Sequence, residues 1–385
     1  MMSILPYIAL FFVFFLMSNF DIWNIKLNQR SKRWMYFCAL ALMVLFAGCR
    51  WFNVPLNTEP GVWIIFDYTA YETVYDNPLS ITNFFSDWLN SGNIAKSMDP
   101  GYVFISSFFS NYIFTNANLF FLTLSLFTVV VFAKGLNRNH INYGIFIILF
   151  IFLTRLYFQY NFIMMRQAVA MSIVWWAIPF IHKKQFWKFT LFCILGGLFH
   201  FTAFLFVIVY FLPRFQFSNK FLLICLPTLF AFSLLGITDF VILKILSTGL
   251  GSIGLDDKIN AYIGNELYSR GINPLNFVEI VPFLYFAIKY RVSMCATQEG
   301  KFFFNLFILY IVFMIITMNM MALTRISSYY LYSIFFIVSF AFKEIRLLGN
   351  RVIYGYAFII YFFIYGVRFI NANFPAYGYH LFFLN

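Results

Sequence analysis

The sequence predicts an all-α polytopic membrane protein, and both composition and patterning lead to that prediction. Hydrophobic residues make up 62% of the 385 residues, charged residues only 10%, and the mean hydropathy is +0.81. Soluble domains carry roughly 45–50% apolar and about 25% charged residues. A soluble fold could not hide this much apolar surface, so lipid must be the solvent for much of it. Nucleic-acid binders, secreted disulfide scaffolds and cytosolic enzymes are thereby excluded as classes.

Apolar runs along the chain predict about ten full transmembrane helices. A spanning helix needs about 20 mostly apolar residues to cross a hydrocarbon core of about 30 Å. Residues 1–385 are therefore expected to form a single transmembrane helical domain. The runs lie at about 4–20, 35–49, 118–133, 141–156, 162–181, 189–212, 221–238, 275–288, 302–319, 326–342 and 352–370.

The short connectors between apolar runs are rich in lysine and arginine. Six of them hold 17 of the 26 basic residues. Such residues collect in cytoplasmic loops, so these connectors are predicted to be cytoplasmic. Both termini and two longer segments, about 50–116 and 239–274, are then predicted to face outward. The basic residues of the six connectors are Lys26, Arg30, Lys32, Arg33, Lys134, Arg138, Lys183, Lys184, Lys188, Arg214, Lys220, Lys289, Arg291, Lys301, Lys343, Arg346 and Arg351.

The run at 189–212 is interpreted as a re-entrant or broken-helix pair rather than a single crossing. Basic residues flank it on both sides, at Lys188 and Arg214, and a single crossing would place the later basic loops outside. Two limbs of about 11 residues at 1.5 Å each reach roughly 17 Å, or half a bilayer. The limbs are predicted to meet at about 196–200, with His200 near the tip.

Five arginines lie away from the predicted cytoplasmic side, near the outer ends of their helices. An arginine at the centre of a spanning helix costs about 2.5–3.5 kcal/mol on insertion scales, so it indicates function by default. Snorkelling to headgroups or pairing with carboxylates is the structural alternative. Function is preferred for Arg166 and Arg325, because neither has an acidic residue nearby in the sequence. Guanidinium groups converging on one outer cavity would suit a diphosphate, which they bind bidentately. The five are Arg50, Arg155, Arg166, Arg325 and Arg368.

Two residues are candidates for a general base. His200 is the only histidine predicted within the membrane, and its near-neutral pKa suits proton transfer. Asp67 is the competing candidate, beside Tyr68 and Tyr71, whose rings and hydroxyls would form a platform for a sugar. The structural alternatives are a histidine hydrogen-bonded to a helix carbonyl and a solvated loop carboxylate. The five cysteines form no CxxC pair and are interpreted as small buried residues, so neither a metal nor a cofactor is predicted.

Six short motifs together carry a family resemblance. They resemble the EpsG/Wzy-type polysaccharide (O-antigen) polymerase family over most of the chain, from Arg50 to about Tyr330. The family usually has Glu where Asp99 stands, and Ile65 replaces the Gly of its Gly-x-Asp-Tyr pattern. The motifs are Gly48-Cys49-Arg50, Asp67-Tyr68-x-x-Tyr71, Asp99-Pro100-Gly101-Tyr102, Arg166-Gln167-Ala168-Val169-Ala170, Phe199-His200-Phe201-Thr202-Ala203 and Arg325-Ile326-Ser327-Ser328-Tyr329-Tyr330.

The resemblance implies a metal-independent glycosyltransferase with a GT-C-like fold in the bacterial inner membrane. Such an enzyme joins undecaprenyl-diphosphate-linked oligosaccharide repeat units into O-antigen (the polysaccharide of lipopolysaccharide) or exopolysaccharide on the periplasmic face. The implied partners are a lipid-linked glycan donor and acceptor, the lipid bilayer, a chain-length regulator and a flippase, with no nucleic acid. The site residues implied are His200 and Asp67 for catalysis, Arg166, Arg325, Arg155 and Arg50 for diphosphate, and Tyr68, Tyr71, Gln167 and Tyr329 for glycan.

Two other functions fit the same composition. A lipid-linked oligosaccharide flippase or transporter also needs a cationic cavity, but its charges should line a whole translocation path. A multi-span O-acyltransferase should carry a His/Arg pair near the inner ends of early helices. Because the intramembrane arginines cluster towards one predicted face, the sequence favours the polymerase.

Overall fold

The computed structural model describes residues 5–51, 63–90, 94–215, 217–218, 220–249, 274–373 and 380–381. The chain forms two compact units, Met1–Phe204 with Phe342–Asn385, and Leu205–Ala341. In the described residues both units are helical, apart from one short antiparallel strand pairing of β1 (Arg50–Trp51) with β2 (His380–Leu381). The predicted all-α class is confirmed.

The first unit contains most of the chain's long antiparallel helices. Its helix α8 continues directly into a π-helical segment, Leu153–Ile163, and α11 is followed by a 3₁₀ helix, Phe201–Arg214, that leads into the second unit. Its α-helices are α1 (Leu5–Ile22), α2 (Gln29–Gly48), α3 (Trp63–Asp76), α4 (Phe84–Asn90), α5 (Ile94–Ser97), α6 (Pro100–Tyr112), α7 (Ala117–Arg138), α8 (Ile145–Phe152), α9 (Met165–Ala177), α10 (Pro179–His182) and α11 (Phe186–Phe199).

The second unit is built around a sharply bent helix pair. A π-helical turn, Phe221–Cys225, leads into α12, and the axis turns by 81° before α13 at a break that includes Gly236, whose φ is +72°. Asn319 braces the break, because its Nδ2 donates to Asp239 Oδ2 at 2.7 Å and to the Ser233 carbonyl at 3.1 Å. The helices are α12 (Leu226–Leu234), α13 (Ile237–Gly249), α14 (Pro274–Lys289), α15 (Arg291–Met294), α16 (Gln298–Ile316), α17 (Met321–Tyr330) and α18 (Ser333–Glu344), after which α19 (Leu348–Asn373) returns to the first unit.

The prediction of about ten full spans is wrong. Among the described residues, six helices are long and apolar enough to cross a membrane, or up to seven if the bent pair counts as one span. A composition count misses interruptions of the helix. The run at 162–181 is broken at Met164 and again at Ile178, which leaves α9 with 13 residues, about 20 Å long. The six helices are Leu5–Ile22, Ala117–Arg138, Ile145–Ile163, Gln298–Ile316, Leu323–Glu344 and Leu348–Asn371.

In the first unit, the basic connectors gather at one end of the helices. The end of α1 meets the starts of α8 and α19: Asp21 Oδ2 accepts from Phe146 N at 2.6 Å, and Arg351 Nε donates to the Asp21 carbonyl at 2.7 Å. Gly48, at the end of α2, lies where a Cβ would fall 2.6 Å from Leu122 Cα, near the start of α7. Antiparallel neighbours therefore bring the start of α2 and the end of α7 together. We call this end the basic end.

The helix is interrupted at His200, as predicted, and a re-entrant arrangement of the two limbs stays a prediction. Helix α11 ends at Phe199, His200 is extended with φ −156° and ψ 114°, and the 3₁₀ helix begins at the next residue. Gly196 and Gly197 allow the end of α11 to lie close to Ala203 and Phe204 of the 3₁₀ helix. A Cβ on Gly197 would lie 2.5 Å from the Phe204 ring, so a larger residue would push the two limbs apart.

Candidate functional site

The first turn of α9 carries an arginine in a strong ion pair. Arg166 Nη1 donates to Asp99 Oδ2 at 2.6 Å, and the two side chains are 18% and 15% exposed. The pair is thus mostly enclosed but reachable. Arg166 has no acidic residue nearby in the sequence, but the fold brings Asp99, which is 67 residues away along the chain, into contact with it.

Asp99 is positioned for this pairing by the start of α6. It occupies the N-cap position, with Pro100 at the first helical residue, yet its carboxylate makes no capping hydrogen bond. An N-cap aspartate normally accepts from the backbone of its own helix. The Asp99 carboxylate instead accepts a hydrogen bond from Arg166. Asp99 is therefore a candidate site residue and not a capping residue.

Two buried tyrosines form the floor beneath the pair. Arg166 Nε donates to Tyr71 Oη at 3.5 Å, and its guanidinium carbon lies 5.6 Å from the centre of the Tyr71 ring. The Tyr71 ring contacts that of Tyr102 at 5.1 Å between centroids. A cation over an aromatic face is stabilised by the ring quadrupole, so Arg166 is oriented by the ring as well as by Asp99.

A second arginine, Arg50, is more deeply buried than Arg166. It lies against Tyr68, one helical turn before Tyr71 on α3. Arg50 is only 2% exposed. Its Nη1 donates to the Ala47 carbonyl and its Nη2 to the Phe162 carbonyl at 3.2 Å. Its guanidinium carbon also lies 4.5 Å from the Phe162 ring centre and 5.6 Å from that of Tyr68. These contacts suit a structural cation that joins α2, α3 and the end of the π-helical segment.

The break at His200 lies beside the Asp99 turn. A Cβ on Gly101 would fall 2.7 Å from the Leu198 carbonyl oxygen, so the start of α6 abuts the last turn of α11. Helices α9 and α11 are antiparallel neighbours connected through the four-residue α10, which puts the end of α11 level with the start of α9. His200 Nδ1 is 2.6 Å from Thr202 Oγ1. The imidazole is thus held at the same end of the bundle as Arg166.

The structure brings Arg50, Tyr68, Tyr71 and Arg166 together, with His200 nearby. Arg155 Nη1 contacts Gln159 Oε1 at 3.4 Å, and its guanidinium carbon lies 5.0 Å from the Tyr365 ring centre.

The remaining predicted site residues are placed as follows. Gln167 is 1% exposed. In the second unit, Arg325 is half-buried on α17, and Tyr329 is 1% exposed with its ring 6.3 Å from that of Phe206. The backbone of Asp67 is in α3, but its side chain lies outside the described residues.

Carboxyl groups on the exposed side of α3 hold their protons more tightly than usual. Burial raises the pKa of Glu72, and the neighbouring Asp76 carboxylate raises it further. Burial also raises the pKa of Asp76 and, together with the Asp76 charge, raises that of Tyr75 to about 12. Among the residues that the structure describes, no group of three or more His, Cys, Asp or Glu side chains could hold a metal ion.

Asp99 and Tyr102 are the functional candidates that sequence reasoning missed. Both stand in the Asp99-Pro100-Gly101-Tyr102 motif, to which the sequence alone assigns no chemical role. An Asp-Pro pair at the start of a helix is a recognisable N-cap signal. From the sequence, Asp99 is therefore expected to cap α6 and not to bind another side chain. Only the tertiary contact with Arg166 shows that the carboxylate is used otherwise.

The fold and the site define a polytopic helical membrane protein with an arginine–carboxylate site at the end of its bundle opposite the basic connectors. A family model described as the EpsG family matches residues 51–382. The chain belongs to the EpsG family. No curated protein and no solved structure matches the chain. Family membership suggests a function of the polysaccharide-polymerase type.

Proposed function

We propose that this protein is a metal-independent polysaccharide polymerase. It transfers a glycan from an undecaprenyl-diphosphate donor to a hydroxyl of a second lipid-linked repeat unit on the periplasmic face of the bacterial inner membrane. Family membership supports the class of reaction. The observation that carries the proposal is the partly exposed Arg166–Asp99 pair over Tyr71, beside the helix break at His200.

Arg166 is the proposed diphosphate-binding residue. A guanidinium is always charged and presents paired N–H donors that match phosphate oxygens. Asp99 balances that charge before substrate binds and holds the side chain in place. A bound diphosphate would take up the outward donors of Arg166. The charge that develops on the leaving diphosphate would then be stabilised by a preorganised cation.

The bond changes in the proposed step are simple. The bond between the donor's anomeric carbon and the diphosphate oxygen breaks, and the diphosphate leaves with the electron pair. The acceptor hydroxyl oxygen forms the new glycosidic bond, and its proton passes to a general base. His200 and Asp67 are the two proposed bases. His200 has the better-supported position, because Thr202 fixes its ring near the Asp99 turn.

Other residues have supporting roles in this proposal. Arg155 and Arg325 are proposed as further diphosphate contacts, and Arg50 as the buried cation that holds α3 in place. The proposed glycan contacts are Tyr68, Tyr71, Gln167 and Tyr329. The proposed protein partners are a flippase, which supplies lipid-linked units, and a chain-length regulator.

The proposed orientation rests on charge. In the first unit, the connectors containing Lys26, Lys134 and Lys183 lie at the basic end, and Arg166 and His200 lie at the opposite end. Loops rich in lysine and arginine stay on the cytoplasmic side. The site is therefore proposed to face the periplasm, where flipped lipid-linked units are found.

The test is chain elongation by the Arg166→Ala and Asp99→Asn variants. Arg166→Ala removes the phosphate-binding cation and should reduce polymer formation by at least 100-fold, about 2.7 kcal/mol in transition-state stabilisation. Asp99→Asn keeps the shape but leaves Arg166 without its counter-charge, and should reduce elongation less. Polymer length on gels and the amount of protein in membranes are measured together. Arg346→Ala, at an exposed basic connector, is the matched control.

The products distinguish the polymerase from its rivals. A defective polymerase should leave single repeat units exported but not joined. Unexported lipid-linked units on the cytoplasmic face would instead indicate a flippase. Full-length polymer from Arg166→Ala at normal protein level would contradict the proposed role of the arginine.

A further inference from the structure

A cleft at the basic end of the first unit carries a cluster of exposed cationic and aromatic side chains. It has a volume of about 650 Å³ and is lined by Gln29, Arg30, Arg33, Trp34 and Phe37. All five come from the first three turns of α2 and share one face of that helix, since their spacing follows the helical repeat. The cleft lies at the opposite end of the bundle from Arg166 and belongs to no part of the proposed reaction.

The two arginines in the cleft differ from the neighbouring arginines in being exposed. Other arginines near the basic end are packed: the Arg138 guanidinium carbon lies 3.8 Å from the Trp176 ring centre, and Arg351 Nε donates to the Asp21 carbonyl. Arg30 and Arg33, in contrast, are exposed, and within the part of the chain that the structure describes neither contacts a carboxylate. Two adjacent guanidinium groups with outward donors form a site for an anion with several oxygens.

The apolar surface below the cleft indicates that this anion is attached to lipid. Trp34 and Phe37 are 59% and 62% exposed, and further along the same side of α2 Leu45 is 52% exposed. From Arg30 to Leu45 the helix rises about 22 Å, which exceeds the hydrocarbon depth of one leaflet, about 15 Å. Tryptophan is also enriched at the membrane–water interface, where its ring is apolar and its N–H remains hydrated. Headgroup donors therefore lie directly above a path for acyl chains.

We propose that this cleft binds the headgroup of an anionic phospholipid, such as phosphatidylglycerol, in the leaflet at the basic end. Arg30 and Arg33 would bind the phosphate, Gln29 and the Trp34 indole N–H would donate to headgroup oxygens, and the acyl chains would lie along Phe37 and Leu45. Binding here would anchor the start of α2, and Arg50 lies two residues beyond the other end of that helix.

The test is lipid binding to the full-length protein in detergent, followed by native mass spectrometry. Phosphatidylglycerol is titrated against phosphatidylethanolamine of the same acyl composition, with inorganic phosphate as a third arm. The combined variant Arg30→Gln and Arg33→Gln should bind phosphatidylglycerol about 30-fold more weakly, from the contribution of each basic residue near an anionic headgroup. Trp34→Leu retains both charges and should weaken binding about threefold.

A matched control removes two charges from another basic connector. Lys183→Gln with Lys188→Gln changes the net charge by the same amount at exposed positions and should alter phosphatidylglycerol binding less than threefold. Equal weakening by both double variants would overturn the site, because attraction would then be general. Equal binding of phosphatidylethanolamine would overturn the anionic specificity, and displacement by inorganic phosphate at the same concentration would overturn the lipid as ligand. All substituted side chains are exposed, so loss of fold does not confuse the result.

Discussion

The two arginines at the candidate site are held by different kinds of contact, according to how deeply each is buried. Arg50, which is almost fully buried, is held by two carbonyls and two aromatic rings. Arg166, which is partly exposed, is paired with Asp99 over Tyr71. Removing one partner of a buried pair leaves a charge uncompensated. A guanidinium that faces a hydrated mouth can exchange its carboxylate for a phosphate, and this difference separates the proposed ligand-binding arginine from the structural one.

The identity of the general base is tested at the residue scale. His200→Asn should abolish elongation at normal protein level, because the imidazole is held beside the Asp99 turn and asparagine accepts no proton at neutral pH. Asp67→Asn should have a smaller effect. The control is His140→Asn, at an exposed position with φ +54°, which asparagine tolerates. The reverse ranking of His200 and Asp67 would transfer the role to Asp67.

Close contacts between short helices, rather than helix length, determine the geometry of the site. The starts of α6 and α9 and the end of α11 meet because glycines remove the side chains that would separate them. Gly196 packs against Ala170 and Val174 of α9, and Gly101 packs against Leu198. Protein interiors are packed so closely that adding even one methyl group displaces the neighbouring atoms. The position of His200 relative to Asp99 therefore depends on these contacts.

Gly101→Ala is the test at the scale of elements. Its Cβ would meet the Leu198 carbonyl oxygen at 2.7 Å, and a backbone atom cannot move aside as a side chain can. The variant should lose about 1–3 kcal/mol of stability and should lower elongation further than the loss of folded protein explains. Thermal unfolding in detergent and polymer yield per folded molecule are the measurements. The control is Gly349→Ala, where a Cβ meets nothing within 4 Å, and this variant should have unchanged or slightly higher stability. If Gly101→Ala kept normal stability and normal elongation, α6 and α11 would not be closely coupled.

At the scale of the whole molecule, charge separates the two ends of the first unit. The connectors that carry the excess of lysine and arginine share one end, and the arginine–carboxylate site occupies the other. A membrane protein with this distribution is inserted with the basic loops in the cytoplasm. The same division separates the proposed lipid cleft from the proposed catalytic site.

Labelling with a membrane-impermeant thiol reagent tests this orientation. In a variant whose own cysteines are replaced, Asn90→Cys at the exposed end of α4 should be labelled in intact cells, because residues 50–116 are proposed to face outward. Lys183→Cys, in an exposed basic connector, should be labelled only after the membrane is opened. Labelling of Lys183→Cys in intact cells would reverse the orientation and place the site in the cytoplasm.

Sequence patterns anticipated some elements of the site and missed others for identifiable reasons. The break at His200 was predicted because basic residues flank one apolar run on both sides, which favours a broken-helix pair over a single crossing. Arg166 was predicted to be a site residue because membranes penalise isolated charge, and that role stays a prediction. Its partner Asp99 was not predicted, since no periodicity connects residues so far apart in the chain. The second bend, at Gly236, was also missed, because the apolar run there continues through the turn.

The sequence by itself indicated that lipid surrounds much of the chain, that the fold is helical and that one helix is interrupted near His200. These properties depend on composition and on the charged residues that flank each apolar run. Only the tertiary structure decided how many helices are long enough to cross a membrane, which arginine is buried and which is paired, and how α6, α9 and α11 converge. Those properties depend on where a helix is interrupted and on contacts between distant residues, and neither is encoded in a local window of the chain.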